Sequence, residues 1–174
     1  MAKALYIGGD ILRLVDYDAG GRIFWTLRGD AAFDATYAGA EAAQTTTDKG
    51  YKRVYVMRRP IFVHRLIWAL HTGHNPTGEI DHINGVRSDN RVSNLRDVTL
   101  SQNRKNNLAR GGKSRFKGVY SAKGGRWGSR IKVDRRTTHL GTYDAESDAA
   151  MAYDVAALSM HGEFARTNED LGLY

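Results

Sequence analysis

Asp81-His82-Ile83-Asn84-Gly85-Val86-Arg87-Ser88-Asp89-Asn90-Arg91-Val92-Ser93-Asn94-Leu95-Arg96, running on through Asp97-Val98-Thr99-Leu100-Ser101-Gln102 to Asn103, is the stretch on which the reading of this chain turns. It sets a carboxylate beside an imidazole, then an amide twelve residues after the imidazole and a second amide nine residues further on. Asn84-Gly85 and Ser88-Asp89-Asn90 are turn formers between two short runs, Glu79–His82 and Leu95–Thr99. The pattern predicts strand, loop, strand, then a helix from Gln102 to about Arg110, capped by Ser101 and carrying Asn103 in its first turn. Neighbouring strand residues point to opposite sides, so Asp81 and His82 share a site only where the strand ends or twists. The turn at Gly85 allows this.

These residue types suit metal-assisted hydrolysis of a phosphodiester. Near neutral pH an unperturbed imidazole can take a proton from water. A hard divalent cation such as Mg²⁺ or Mn²⁺ prefers oxygen ligands, which Asp81 and Asn103 each supply, and it can act on a phosphate as Lewis acid and template. A lone Asp-His pair is more often structural than catalytic; the run with both amides in register is a specific signal.

Upstream, Val63, Leu66, Ile67 and Leu70 repeat at helical spacing, and Gly73 and Asn75-Pro76 stop the helix. His64 lies off that stripe and reads as structural or as a surface residue. Residues 1–60 read as a small β-rich lead. Ile11–Val15 and Ile23–Trp25 form a hairpin around Asp18–Gly21, 29–50 is loop, and Tyr51–Met57 is a half-buried strand before a turn at Arg58-Arg59-Pro60.

Downstream the charge changes. The formal net charge is +7, and residues 101–140 hold 12 of the 26 Lys and Arg but one of the 19 Asp and Glu, Asp134. Such a segment attracts a polyanion, although a solvated cationic face explains the charge equally well. Residues 109–114 read as a linker. Phe116–Ser121, Arg126–Val133 and Thr137–Thr142 read as three strands, the second presenting Arg126, Gly128, Arg130 and Lys132 on one face. A helix follows, with Asp144 as its N-cap and Ala149, Ala152, Tyr153, Ala156, Ala157 and Met160 as its apolar stripe. The chain has no cysteine, which excludes disulfides and thiolate zinc sites and fits a reducing cytoplasm. No stretch is apolar and long enough to suggest a signal peptide or membrane span.

The central run resembles the HNH endonucleases of phage and mobile introns, with their ββα-metal motif. That resemblance implies His82 as general base, Asp81 and Asn103 as ligands of one divalent metal ion, and Asn94 as the residue pinning the loop that orients the base. Asn103 replaces the final His of many members, and Asp97 stands where Trp is frequent. Residues 115–168 resemble the APETALA-type (ethylene-response-factor) DNA-binding domain through Phe116-Lys-Gly-Val119, Arg126-Trp127, Leu140-Gly-Thr-Tyr143, Ala149–Ala157 and Gly162 to Asn168. It implies a sheet lying in the major groove of double-stranded DNA, with Lys117, Tyr120, Arg126, Arg130, Lys132 and His139 at contact positions. Tyr120, Arg130 and His139 depart from the residues usual there, so the plant domain's target sequence does not transfer.

The expectation is therefore an α+β chain in four parts: a lead (1–60), an HNH centre (61–108), a linker (109–114) and a DNA-binding sheet with one helix (115–168). It would be a homing-type endonuclease acting on duplex DNA in the cytoplasm of a bacterial host if phage-encoded, without membrane or small-molecule cofactor. The oligomeric state is left open. Its rivals are a DNA-binding regulator with a dead centre, and a nuclease of phage packaging or restriction.

Overall fold

The computed structural model describes residues 6–106 and 112–174. The linker expected at 109–114 and the end of the helix expected to reach Arg110 lie partly outside these. The fold is α+β and divides into two compact units, Met1–Leu100 and Ser101–Tyr174.

In the first unit a single turn of helix, α1 (Gly9–Leu12), leads into the hairpin β1 (Val15–Tyr17) and β2 (Ile23–Trp25). The strand expected at Ile11–Val15 is thus split: Ile11 is buried from a helical turn and Val15 from a strand. A short apolar run does not carry enough period to separate the two. The region expected as loop holds α2 (Ala31–Tyr37) and β3 (Gln44–Thr46). Asp30 starts α2, its carboxylate accepting from the backbone N–H of Ala32 and Phe33 at 3.1 Å each.

β3 pairs with β4 (Lys52–Val56), which pairs with β5 (Arg59–Phe62). The turn between β4 and β5 is Met57-Arg58, both at positive φ (49° and 62°), one residue earlier than expected. Pro60 is accommodated because β5 is an edge strand. Helix α3 (Val63–Thr72) follows the predicted stripe and ends at Gly73 in the left-handed conformation. β6 (Glu79–His82) and β7 (Leu95–Val98) then pair antiparallel, with Asp81 opposite Arg96 and His82 opposite Leu95. One core joins all of this. Ile7, Ile11, Val15 and Ile23 pack with Val54, Val63, Leu66, Ile67, Ile80 and Leu95, so the lead and the central motif share a hydrophobic interior. A core this size is out of reach for a strand-helix motif of about forty residues alone.

Helix α4 (Leu100–Lys105) starts on the last residue of the first unit and continues into the second. After it β8 (Val119–Ser121), β9 (Trp127–Val133) and β10 (Arg136–Tyr143) form an antiparallel sheet with β9 in the middle, backed by α5 (Glu146–His161). The core is small: Ile131, Tyr153 and Ala157, flanked by Val133, Leu140, Ala156 and Ala165. Two expectations for α5 are corrected. Ala145 is the N-cap, with no side-chain bond, and Asp144 instead accepts from Arg126. Met160 is exposed, while Ala150 and Asp154 are buried. The Asp154 carboxylate explains its own burial by accepting from Asn168 (backbone N–H and Nδ2, both 2.8 Å) and from the Tyr174 hydroxyl (2.8 Å), which ties the C-terminal segment to the helix.

Candidate functional site

β6 and β7 set the frame of the site. Antiparallel register places Asp81 across from Arg96, whose Nε and a terminal nitrogen both reach Asp81 Oδ2 at 2.9 Å. Both side chains are largely buried, which gives this charge-assisted pair its definition. The pairing stops at His82, where the chain enters the loop.

Asn94 closes that loop. Its Oδ1 accepts from the Asn84 backbone N–H at 2.9 Å, while its Nδ2 donates to Asn84 Oδ1 (3.0 Å) and to the Asp89 carbonyl (2.8 Å). The Ile83 N–H donates to the Asn94 carbonyl at 2.9 Å. Asn84 Nδ2 donates in turn to Asp89, whose carboxylate is held well below its usual range, first by the Arg91 side chain. One amide thereby fixes both ends of the turn.

His82 is packed inside a nest of rings. Tyr51 precedes β4, Phe62 ends β5, and His64 sits in the first turn of α3. The His64 ring meets His82 edge-on at 5.2 Å, and the Tyr51 ring lies 6.0 Å from it. Phe62 stacks on His64 at 5.4 Å, and the Arg87 guanidinium lies 5.0 Å from the Tyr51 ring centre. Burial lowers the His82 pKa, and the Asn90 hydrogen bond and the neighbouring Asp81 charge only partly oppose it. Its imidazole is therefore neutral at pH 7. His64 is pulled down further, to about 3, by burial, then by His82 and Arg65, and its Nδ1 is buried without a hydrogen-bond partner. The structural reading of His64 fits this position better than the surface one.

The one carboxylate adjoining His82 in sequence is that of Asp81, an oxygen donor of the kind hard cations prefer. Asp81 offers a carboxylate anchored by Arg96, and among the described residues no cluster of three His, Cys, Asp or Glu side chains could hold an ion by itself. Asn103, the amide singled out by the motif, stands on α4.

The outer face of the β8–β10 sheet brings together three of the six expected contact residues. The Tyr120 hydroxyl and His139 Nδ1 are 3.0 Å apart, and the Arg130 guanidinium lies 4.9 Å from the Tyr120 ring centre. Gly128 makes room beneath: a Cβ there would fall 2.3 Å from Tyr120 Cζ. Lys132 is exposed two residues beyond Arg130 on the same strand face. Arg126 is engaged internally, donating to Asp144 (2.8 Å) and to the Thr142 carbonyl (2.9 Å). Lys117 faces inward, its Nζ donating to the Arg166 carbonyl at 3.2 Å, and burial pushes its ammonium down to about 8.

Sequence reading missed Asn90, Arg96, Tyr51 and Phe62. Arg96 was accessible by counting the strand register outward from the turn. The others meet His82 or its neighbours only through tertiary packing.

The family model for HNH endonucleases matches residues 62–105. Over that stretch the chain is similar to HNH endonucleases. Among curated relatives, an AP2/ERF and B3 domain-containing protein of Oryza sativa subsp. japonica is 49% identical over 55 residues, 32% of this chain and 15% of that protein. The ethylene-responsive transcription factor WRI1 of Arabidopsis thaliana is 32% identical over 101 residues, 56% of this chain and 22% of its own length. The chain spans less than a quarter of these relatives. A solved structure described as "DNA binding and cleavage by the HNH homing endonuclease I-HmuI" is similar with a TM-score of 0.40 at 23% identity, covering 53% of this chain and 50% of that one. No helix among the described residues is long and apolar enough to cross a membrane.

Proposed function

We propose that this chain is a metal-dependent DNA endonuclease of the homing type, in which His82 activates the attacking water. The observation that carries this reading is His82 itself: a buried imidazole kept neutral by its surroundings, beside Asp81, on a loop pinned by Asn94, inside the HNH domain. A neutral, desolvated imidazole is the form that accepts a proton. Asp81 and, on the motif alone, Asn103 would hold one divalent ion, Mg²⁺ or Mn²⁺; when bound it supplies Lewis-acid stabilisation of the phosphate and the departing 3′ oxygen. Arg96 keeps the Asp81 carboxylate from turning away, and Asn94 keeps the strand-to-turn geometry that presents His82.

Residues 112–174 are proposed as an APETALA-type module that binds duplex DNA through the outer face of β8–β10. The partial relatives support this reading, as does the clustering of Tyr120, Arg130 and His139. Arg130 is the foremost candidate for a bidentate guanine contact. Lys132 is proposed as a phosphate-contacting residue, since most protein–DNA hydrogen bonds go to phosphate and sugar, and Arg126 and Lys117, which are engaged within the module, as positioning residues.

The test is supercoiled-plasmid cleavage with Mg²⁺ or Mn²⁺, with and without EDTA, comparing the wild type with His82→Ala. Metal-dependent nicking or linearisation that the substitution abolishes is the expected result. Cleavage unaffected by EDTA, or undiminished in His82→Ala, would overturn the proposal.

A further inference from the structure

Asn90 is a turn former in sequence, yet in the fold it is 1% exposed and reaches the imidazole of His82. Its Oδ1 lies 3.2 Å from His82 Nε2, and its Nδ2 lies 3.3 Å from the Ser88 carbonyl. A carbonyl can only accept, so the NH₂ end of the amide belongs on Ser88, which leaves the oxygen facing the imidazole. An amide oxygen also only accepts, so the ring proton of neutral His82 belongs on Nε2. Nδ1 then carries the lone pair.

The backbone of Asn90 is held from a second direction. Gly21, in the turn between β1 and β2, sits at φ +77° directly against it. A Cβ on Gly21 would fall 2.4 Å from the Asn90 carbonyl carbon and 2.6 Å from the Arg91 nitrogen. The turn is itself well defined, because the Gly21 N–H donates to the Asp18 carbonyl at 3.0 Å and the Arg22 N–H to Asp18 Oδ1 at 2.9 Å. Tyr17, Asp18 and Ala19 of the hairpin face Val92 and Ser93, just beyond Asn90, across a shared cleft.

We infer that Asn90 is a positioning residue for His82, fixing the ring with its proton on Nε2 and its lone pair on Nδ1, and that the β1–β2 turn holds Asn90 in register. This rests on the nuclease reading for its purpose but not for its geometry. It gives the N-terminal hairpin a part in the chemistry: the hairpin sets the tautomer of the base through one intervening amide. An imidazole free to present either nitrogen would spend part of its time with a proton where the lone pair is needed.

The experiment is histidine-selective ¹⁵N NMR on the full chain without metal, with His82→Ala identifying the His82 signals. It is paired with single-turnover cleavage and DNA affinity. A hydrogen-bonded, slowly exchanging ring proton on Nε2 is expected in the wild type, retained in Asn90→Asp, which keeps an acceptor oxygen, and lost in Asn90→Ala. Cleavage in Asn90→Ala should fall about 10- to 100-fold with DNA affinity unchanged, less than the roughly 10²- to 10⁴-fold that a general base contributes. Gly21→Ala should lose the same proton signal while far-ultraviolet circular dichroism stays that of the folded chain; where that variant fails to fold, the Asn90 pair carries the test. A ring proton on Nδ1 in the wild type, or an Nε2 signal that survives in Asn90→Ala, would overturn the inference. An Nε2 proton lost in Asn90→Ala, in a wild type that cuts no DNA with any metal, would sustain the positioning role and overturn the nuclease reading instead.

Discussion

The surroundings of His82 and the outer face of the β8–β10 sheet are built on opposite plans. His82 is buried among Tyr51, His64 and Asn90, next to a core that joins its strand to the N-terminal hairpin through Ile80, Leu95, Val15 and Ile23. Arg130 and His139 are exposed and rest on Tyr120 through a guanidinium–ring contact and one hydrogen bond. A proton acceptor works best when its geometry and charge state are settled before substrate arrives. A groove-reading surface needs side chains whose internal contacts are weak enough to be exchanged for bases and phosphates. Under the proposed function the chain would separate these demands: His82 adjoins a large aliphatic core, and the sheet is thin and backed by an alanine-rich helix.

The sharpest break of this contrast is His82→Ala, which should lower the cleavage rate by about 10²- to 10⁴-fold and leave the DNA dissociation constant where it was. Equal losses in both would mean that His82 contributes to holding DNA. Next is Asp81→Ala in metal-free protein. It removes the carboxylate that pairs with the largely buried Arg96 guanidinium and should cost about 3 kcal/mol, read as a lowered melting temperature. A melting temperature unchanged or raised would show that the pair matters only through a bound cation.

A pH series tests how dry the ring nest is. His64 is held at about 3 when folded and returns to about 6.5 when unfolded. The unfolded chain therefore binds the proton first, and stability falls as pH drops from about 6.5 towards 3. The expected loss is about 2 kcal/mol at pH 5 from this residue, and His64→Phe should flatten that slope in denaturant melts. A slope identical in both proteins would place water at His64. The depressed pKa of His82 acts in the same direction and predicts that cleavage survives below the pH at which an ordinary histidine protonates.

On the sheet, Arg130→Ala should weaken DNA binding by about 1–3 kcal/mol. Arg126→Ala should act less on binding, because Arg126 is already engaged by Asp144 and the Thr142 carbonyl. The reverse order would show that Arg126 leaves Asp144 to read DNA.

What could be read in advance followed the local chemistry. The β6–β7 pair, the α3 stripe and the three strands of the second unit each repeat a pattern over enough residues to declare themselves. The fold puts Asp81 and His82 at the end of β6 and has Asn94 pin the loop that follows them. Helix α2 was missed although its Asp30 cap was there to be seen, because the alanines after it carry no hydrophobic period. Asp144 was misassigned as a cap because a nearby guanidinium, invisible to local rules, claims its carboxylate. Asn90 and Gly21 escaped for a further reason. As turn formers they already had an adequate local explanation, and their second roles exist only once the hairpin is laid against the loop.

The most direct test is to measure cleavage at saturating protein and DNA affinity side by side in His82→Ala and Arg130→Ala. A locked cutter beside an exchangeable reader predicts a crossed pattern: His82→Ala binds normally and does not cut, whereas Arg130→Ala binds weakly and cuts at nearly the wild-type rate once saturated. Two variants that lose binding and cutting in the same proportion would contradict it.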